Sequence, residues 1–319
     1  MRMNRRLSAF ALFTLVMLAM AWLFEPLLPA RRGPGCSAGP EYKRWRVFAL
    51  SSWLQKYAMQ IAIIGSGNVA TVLGSKMREA GHRILQVVSR QETHAARLAE
   101  ELGCPYAMRW EDLHPEGDLY LVALSDEAVQ AAASQLRLPG KLVVHTAGAV
   151  AREALAAVSE HHGVLYPLQS LRKEIRPFPA FPLLIDAHLP ADLHPIRTLA
   201  RSISDQVSEA NDKTRLQLHL SAIIVNNFTN YLFVMAEELC RKQGVDFSLL
   251  LPLIRETAGR LSHAAPGDVQ TGPAIRGDRG TIARHLDLLS DNPDLAEMYR
   301  WFTTRIMRHY GRPENPPTF

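Results

Sequence analysis

The feature that most restricts this chain is a short apolar strand running straight into glycines. Gln60-Ile-Ala-Ile-Ile64 leads into Gly65-Ser66-Gly67-Asn68-Val69-Ala70, and apolar residues then recur at Val69, Leu73, Met77 and Ala80 until Gly81. Strand, GxGxxA and amphipathic helix, in that order, give a weak glycine pattern its meaning. Gly65 permits the tight turn, Gly67 lets the backbone approach a pyrophosphate, and Ala70 lets helix and strand pack closely. Free N–H groups and the positive dipole end at the helix start then suit phosphates. Gly65, Ser66, Gly67, Asn68, Val69 and Ala70 are therefore assigned to a dinucleotide.

The next strand, Ile84–Val88, ends in Ser89-Arg90, where the ribose-reading residue belongs. A carboxylate there would accept from the 2′-hydroxyl of NAD. A hydroxyl and a guanidinium suit a 2′-phosphate instead, so NADP(H) is the expected cofactor. The plainer reading is that Ser89 caps the helix Glu92–Leu102 and Arg90 lies in solvent. The alternation continues through Asp118–Leu124 into Ser125-Asp126, and through Lys141–His145 into Thr146-Ala-Gly148, with a helix from about Arg152. A strand Pro182–Ile185 and a helix near Leu193–Ile203 complete the pattern of a doubly wound parallel α/β sheet. Ligands lie beyond the carboxyl ends of such strands, which brings in Ser125, Asp126, His145, Thr146 and Gly148. Ser125 and Thr146 join the cofactor set.

Beyond Asn211 the pattern changes to long helices. Thr214–Gln243, stopped by Gly244, reads as one helix of about 45 Å at 1.5 Å per residue. It is apolar nearly all round from Leu216 to Met235, which predicts burial on every side and a second subunit to cover it. A homodimer is expected. His219, Asn226 and Asn230 fall at i, i+7 and i+11, on one face, with small Ala222 between them. His219 is the candidate proton donor, and Asn226 or Asn227 would orient or polarise a carbonyl or imine. The alternative is a satisfied core histidine with interhelical amide contacts. A loop, Thr271–Asp278, precedes a helix through Ile282, His285 and Leu289. Its Arg276 either meets a substrate carboxylate or pairs with Asp278. Leu165–Ser170, with Gln169, is placed at the cleft, and Asn230 joins the substrate set. The Pro-rich tail after Gly311 reads as a disordered end.

Charge settles one exclusion. The formal charge is +5, but residues 1–58 hold nine Lys/Arg against two Glu, leaving 27 basic and 29 acidic residues for the rest. The folded part is thus slightly acidic, and no nucleic-acid partner is expected. Cys36, Cys104 and Cys240 are odd in number and widely spaced, so neither a disulfide framework nor a metal site is expected. Leu7–Phe24 is uncharged over eighteen residues behind Arg2, Arg5 and Arg6, long enough for a short anchor or a signal h-region. An exported nicotinamide-binding fold would be separated from its cofactor, and Met59 stands directly before the first strand. Residues 1–58 are therefore read as dispensable and the protein as cytoplasmic. Membrane anchoring through residues 7–24 is the alternative.

From Met59 to about Tyr310 the chain resembles a bacterial family that pairs a Rossmann-like NADP-binding domain with a C-terminal domain of unknown function. The motifs that carry the likeness are Ile63-Ile-Gly-Ser-Gly-Asn-Val69, Val88-Ser-Arg90, His145-Thr-Ala-Gly148, Tyr166-Pro-Leu-Gln169, His219 to Asn227, and Thr271-Gly-Pro with Arg276-Gly-Asp278. The family is similar in build to pyrroline-5-carboxylate reductase and to 6-phosphogluconate and β-hydroxyacid dehydrogenases, and it includes an alternative type of ketopantoate reductase. The resemblance implies a Rossmann domain over 59–209, an all-helical dimerising and substrate domain of the 6-phosphogluconate-dehydrogenase-like type over 210–319, and NADPH as hydride donor. In one respect the chain departs from the β-hydroxyacid dehydrogenases. Their lysine stands four residues before an Asn, where this chain has Ala222 and Ile223, and Lys213 is too far back, which leaves His219. The expected activity is reduction of a small carboxylated carbonyl or imine, ketopantoate first, with a pyrroline-5-carboxylate-type imine reductase as the alternative. A non-catalytic NADP sensor or scaffold, or a membrane-tethered redox partner, would keep the same cofactor motif.

Overall fold

Ile61–Ile64, Leu119–Val122 and Val143–His145 are wholly buried, as central strands of a parallel sheet covered on both faces must be. The computed structural model describes residues 58–312. The hydrophobic stretch 7–24 and the tail beyond Arg312 lie outside the described residues. The strands are β1 (Gln60–Ile64), β2 (Arg83–Val88), β3 (Tyr106–Ala107), β4 (Leu119–Val122), β5 (Leu142–His145), β6 (His162–Pro167), β7 (Leu183–Ala187) and β8 (Val207–Glu209). They form one eight-stranded sheet in the order β3-β2-β1-β4-β5-β6-β7-β8. Every neighbouring pair is parallel except β6 with β7, which is antiparallel.

The crossover helices are α1 (Asn68–Glu79), α2 (Glu92–Leu102), α3 (Asp126–Gln135) and α4 (Pro190–Ile203). The order reverses between β1 and β4, and a ligand crevice opens at that point in such sheets. Three details depart from the sequence reading. The helix expected from Arg152 is a single 3-10 turn, Arg152–Leu155, because the short crossover into β6 is held at Arg152 N by the Asp212 carboxylate at 3.0 Å. His162–Pro167 is a full strand of the sheet, not only a segment near the cleft. The sheet is therefore mixed, since β7 returns against β6.

Beyond β8 the chain is helical. α5 (Asp212–Ala222), a π-helical turn (Ile223–Phe228) and α6 (Thr229–Lys242) run as one 31-residue rod. Then come α7 (Leu251–Gly259), α8 (Pro273–Arg276), α9 (Arg279–Leu288) and α10 (Pro293–His309). Within one chain the described residues leave one flank of the rod uncovered: Leu216, Leu220, Ile224, Val225, Phe228 and Tyr231 are exposed, Val225 by 72%. Its far end packs Met235 and Leu239 against Leu289, Leu295 and Ala296, while Ala274, Ile282, Leu286 and Met307 make a second small core.

The antiparallel return brings backbone close to backbone at Gly163. A Cβ there would stand 2.4 Å from the Asp186 carbonyl oxygen and 2.7 Å from Ile196 Cδ1 of α4. Gly163→Ala is expected to lower the unfolding free energy by about 2 kcal/mol or more, as overpacking of a sheet core does. Urea unfolding of the variant beside the wild type measures it.

Candidate active site

Four adjacent strand ends line up along one edge of the sheet: Gly65 after β1, Ala123–Ser125 after β4, Thr146–Gly148 after β5, and Tyr166 at the end of β6. Gly65 has φ +120°, and a Cβ on it would stand 2.2 Å from the Ala123 carbonyl oxygen, so only glycine fits. Its N–H donates to Val88 O at 2.8 Å, and the Ala123 N–H donates to Ile64 O at 2.8 Å. These bonds draw the first turn tightly over the strand ends. Gly67, at the start of α1, faces open space.

A cleft of about 290 Å³ opens over this turn, lined among others by Gly65, Ser66, Gly67, Ser89, Arg90 and Ser125. The Ser66 and Ser89 hydroxyls lie 2.8 Å apart and buried, while Arg90 is exposed beside them. Trp110 forms one wall and Ala128, Ala131 and Ala132 of α3 another, apolar surfaces suited to a flat ring. None of the lining residues is acidic. The open backbone at Gly67 fits a pyrophosphate, and two hydroxyls with a guanidinium fit a 2′-phosphate. Asn68 and Val69 lie at the start of α1, with Asn68 Oδ1 accepting from Lys173 N at 3.4 Å, and Ala70 is fully buried against the sheet. Thr146 is buried with its N–H bonded to Val122 O at 3.2 Å, and it is not part of the cleft lining.

A second cavity, of about 520 Å³, is lined by Tyr166, Gln169, His219, Asn226 and Asn227 among others. Tyr166 Oη and His219 Nδ1 are 2.9 Å apart, and the two rings meet edge to face with centroids at 5.9 Å. Gly148 makes room for this pair, since a Cβ there would stand 2.6 Å from His219 Nδ1. Burial, and then the Asp126 carboxylate, raise the Tyr166 pKa, so its phenol keeps its proton. Asp126 begins α3 beside the first cleft, so the two cavities are electrostatic neighbours. The π turn presents Asn226 and Asn227 together and breaks the expected 3.6-residue phase. Asn230 consequently falls outside the cavity lining, and Arg276, exposed at the end of α8, lines neither cavity.

Two residues escaped the sequence reading. Tyr166 sits in the Tyr166–Gln169 stretch, where the sequence alone assigns it no role. Arg215, one turn before His219, is 1% exposed. Its Nη2 donates to the Val150 carbonyl and to Asp212 Oδ1, the latter at 2.7 Å. A charged residue at i−4 to His219 was the available signal.

A family profile described as a domain of unknown function, DUF2520, matches residues 181–306. Another, described as NADP oxidoreductase, coenzyme F420-dependent, matches 60–148. A solved structure of a candidate NADP oxidoreductase from Bacteroides fragilis is 34% identical, covers 79% of this chain and 99% of its own, and superposes with a TM-score of 0.73. The chain belongs to this NADP oxidoreductase family. It is an NADP-dependent oxidoreductase, with a Rossmann-like α/β fold followed by helices. The same fold recurs in 1-pyrroline-5-carboxylate reductase from Streptococcus pyogenes (17% identity, 79% and 99% coverage, TM-score 0.53). It recurs also in an imine reductase from Streptomyces aurantiacus (14% identity, 78% and 93% coverage, TM-score 0.56). No curated protein sequence matches the oxidoreductase.

His145 gives this edge of the sheet a pH signature. It is fully buried, and its Nδ1 accepts from Ala147 N at 3.2 Å, so the ring is neutral. Burial first, and then the Arg215 charge, push its pKa from 6.5 to about 4. The folded value lies below the unfolded one, so unfolded chains take up the proton first as pH falls. This stability is complete above about 6.5 and is lost progressively towards pH 4, about 3 kcal/mol in all. Urea midpoints at pH 7 and 4.5 should show that loss, and His145→Asn should remove this part of the slope.

Proposed function

We propose that the protein is an NADPH-dependent reductase of a small carboxylated carbonyl or imine, ketopantoate being the first substrate to try. The observation that carries this reading is the Tyr166–His219 pair, 2.9 Å apart, facing the same cavity as Asn226, Asn227 and Gln169. On this reading residues 59–209 hold the cofactor and 210–319 the substrate and the dimer face. Gly65 to Ala70 cradle the pyrophosphate, Ser66, Ser89 and Arg90 take the 2′-phosphate, and Ser125 and Thr146 flank the path to the nicotinamide.

When bound, NADPH supplies a hydride to the electrophilic carbon. The protein's part is the proton and the polarisation. Protonated His219 donates its Nδ1–H to the Tyr166 oxygen, which fixes the ring and leaves Nε2–H for the substrate oxygen or nitrogen. Tyr166, its phenol held neutral by burial, positions the imidazole and is not itself the acid. Asn226 and Asn227 hold the developing alkoxide or amine, and Gln169 is the amide within the cavity for the carboxylate. Arg276, outside both cavities in one chain, would meet that carboxylate only across a dimer.

The exposed apolar flank of the central rod supports a homodimer. That rod is also long and apolar enough to cross a bilayer by composition, but Arg215 and His219 tie it to the sheet, which favours a second copy as its cover. A reductase drawing on the NADPH pool belongs in the cytoplasm. A pyrroline-5-carboxylate-type imine reductase is the second reading, favoured by the shared fold of those enzymes.

The deciding experiment is NADPH and NADH titration of the purified protein, followed by oxidation at 340 nm with ketopantoate and cyclic imines. His219→Ala should cut kcat about 100-fold or more with NADPH affinity unchanged. Arg90→Ala should shift the NADPH-to-NADH preference about 10-fold or more towards NADH, as loss of a charge-assisted phosphate contact does. NADPH binding with no oxidation by any substrate would instead favour a sensor. Undiminished turnover in His219→Ala would remove the proton-donor assignment.

A further inference from the structure

Away from both cavities, three ligating side chains converge where the sheet turns antiparallel. Glu153 lies in the turn after β5, His162 opens β6 at the opposite end from Tyr166, and His188 directly follows β7. Their ligating atoms all lie within 4.8 Å of one another. His162 Nε2 is 3.1 Å from Glu153 Oε2, and His188 Nδ1 is 3.2 Å from Glu153 Oε1. The two imidazoles are stacked, with centroids 4.6 Å apart.

His162 is 1% exposed, and its Nδ1 lies 2.8 Å from the Ser159 carbonyl oxygen. A carbonyl can only accept, so Nδ1 carries the proton. Nε2 is thereby turned towards the Glu153 carboxylate, where either a ring proton or a metal ion can join the two. The Nδ1–H to carbonyl bond is also the device that fixes the tautomer and orientation of metal-ligating histidines. The 3.1 Å separation of Nε2 and Oε2 suits two ligand atoms each about 2.0–2.2 Å from one zinc ion.

Arg152 is the competing cation, and its reach is limited. Its Nε and Nη2 donate to Glu153 Oε1 at 3.1 and 2.8 Å, and its Nη1 donates to Asp186 Oδ1 and the Ala187 carbonyl. Glu153 Oε2 has no bond to Arg152 among these. Arg152 is shared between Glu153 and Asp186, so the two carboxylates together carry one negative charge more than it neutralises. His188 is exposed, and its Nδ1 already faces the Glu153 carboxylate.

We propose that Glu153 Oε2, His162 Nε2 and His188 Nδ1 bind a divalent cation of the zinc class, with water in the remaining position. Two imidazoles and one carboxylate favour zinc and its transition-metal neighbours over magnesium or calcium. The ion would tie the turn after β5 to the end of β7. The Arg152 N–H in that turn anchors Asp212 at the start of α5, so the clamp lies beside the root of the catalytic helix without touching substrate.

The test is calorimetric titration of the full-length, chelator-stripped protein with ZnCl2, and visible absorption with CoCl2. About one zinc per chain with Kd below roughly 100 μM is expected, with His188→Ala weakening it about 10-fold or more. Cobalt should give visible d–d bands that Glu153→Gln abolishes. Both changes are at partly exposed side chains, which guards against simple misfolding. Binding weaker than that threshold, or binding that both variants leave unchanged, overturns the proposal.

Discussion

The guanidinium of Arg215 is buried where the long helix leaves the sheet, and the placement of the site hangs on it. It reaches the Val150 carbonyl beyond β5, while Asp212 Oδ1 receives both Arg215 Nη2 and the Arg152 backbone N–H. A buried charge without partners would cost several kcal/mol, and Nη2 carries the bonds that offset this, while Nε and Nη1 have no hydrogen-bond partner. The helix is thereby fixed in rotation as well as position. One turn on, His219 arrives over Gly148 and meets Tyr166. The same charge helps hold His145 neutral behind them.

The dinucleotide half of the molecule was legible because its signals are local. Gly65, Gly67 and Ala70 each answer a constraint set within a few residues or by one neighbouring strand, and β1, β2, β4 and β5 follow at the expected positions. The segment after Arg152 was misread because Arg-Glu-Ala-Leu-Ala-Ala favours helix on propensity, whereas tertiary anchoring at Asp212 allows only one 3-10 turn. Position after the strand region points to Gln169 and helical spacing to Asn226, and both line the second cavity. Tyr166 carries no such signal, because its meaning depends on a partner 53 residues away.

The helical half shows the limit of periodic reading. Spacing at 3.6 residues per turn places His219, Asn226 and Asn230 together, but the π turn changes the phase before Asn230 is reached. Apolarity on all sides was read as burial on all sides, yet one chain covers only part of the rod. Among the described residues that flank stays uncovered. Similarly, Glu153, His162 and His188 have no ligand-like spacing in sequence, and only the return of β7 against β6 assembles them.

The π turn carries a further consequence. It is in effect one residue too many for an α-helix, and everything beyond it is rotated by about 100° relative to an uninterrupted rod. Losing a single residue there would swing Tyr231 and the whole distal half of the rod to a new azimuth. Asn226 and Asn227 would separate from His219, and the apolar flank would point elsewhere. A single-codon insertion or deletion in this turn would therefore re-aim the pocket and the outer surface together, whereas a substitution alters one at a time.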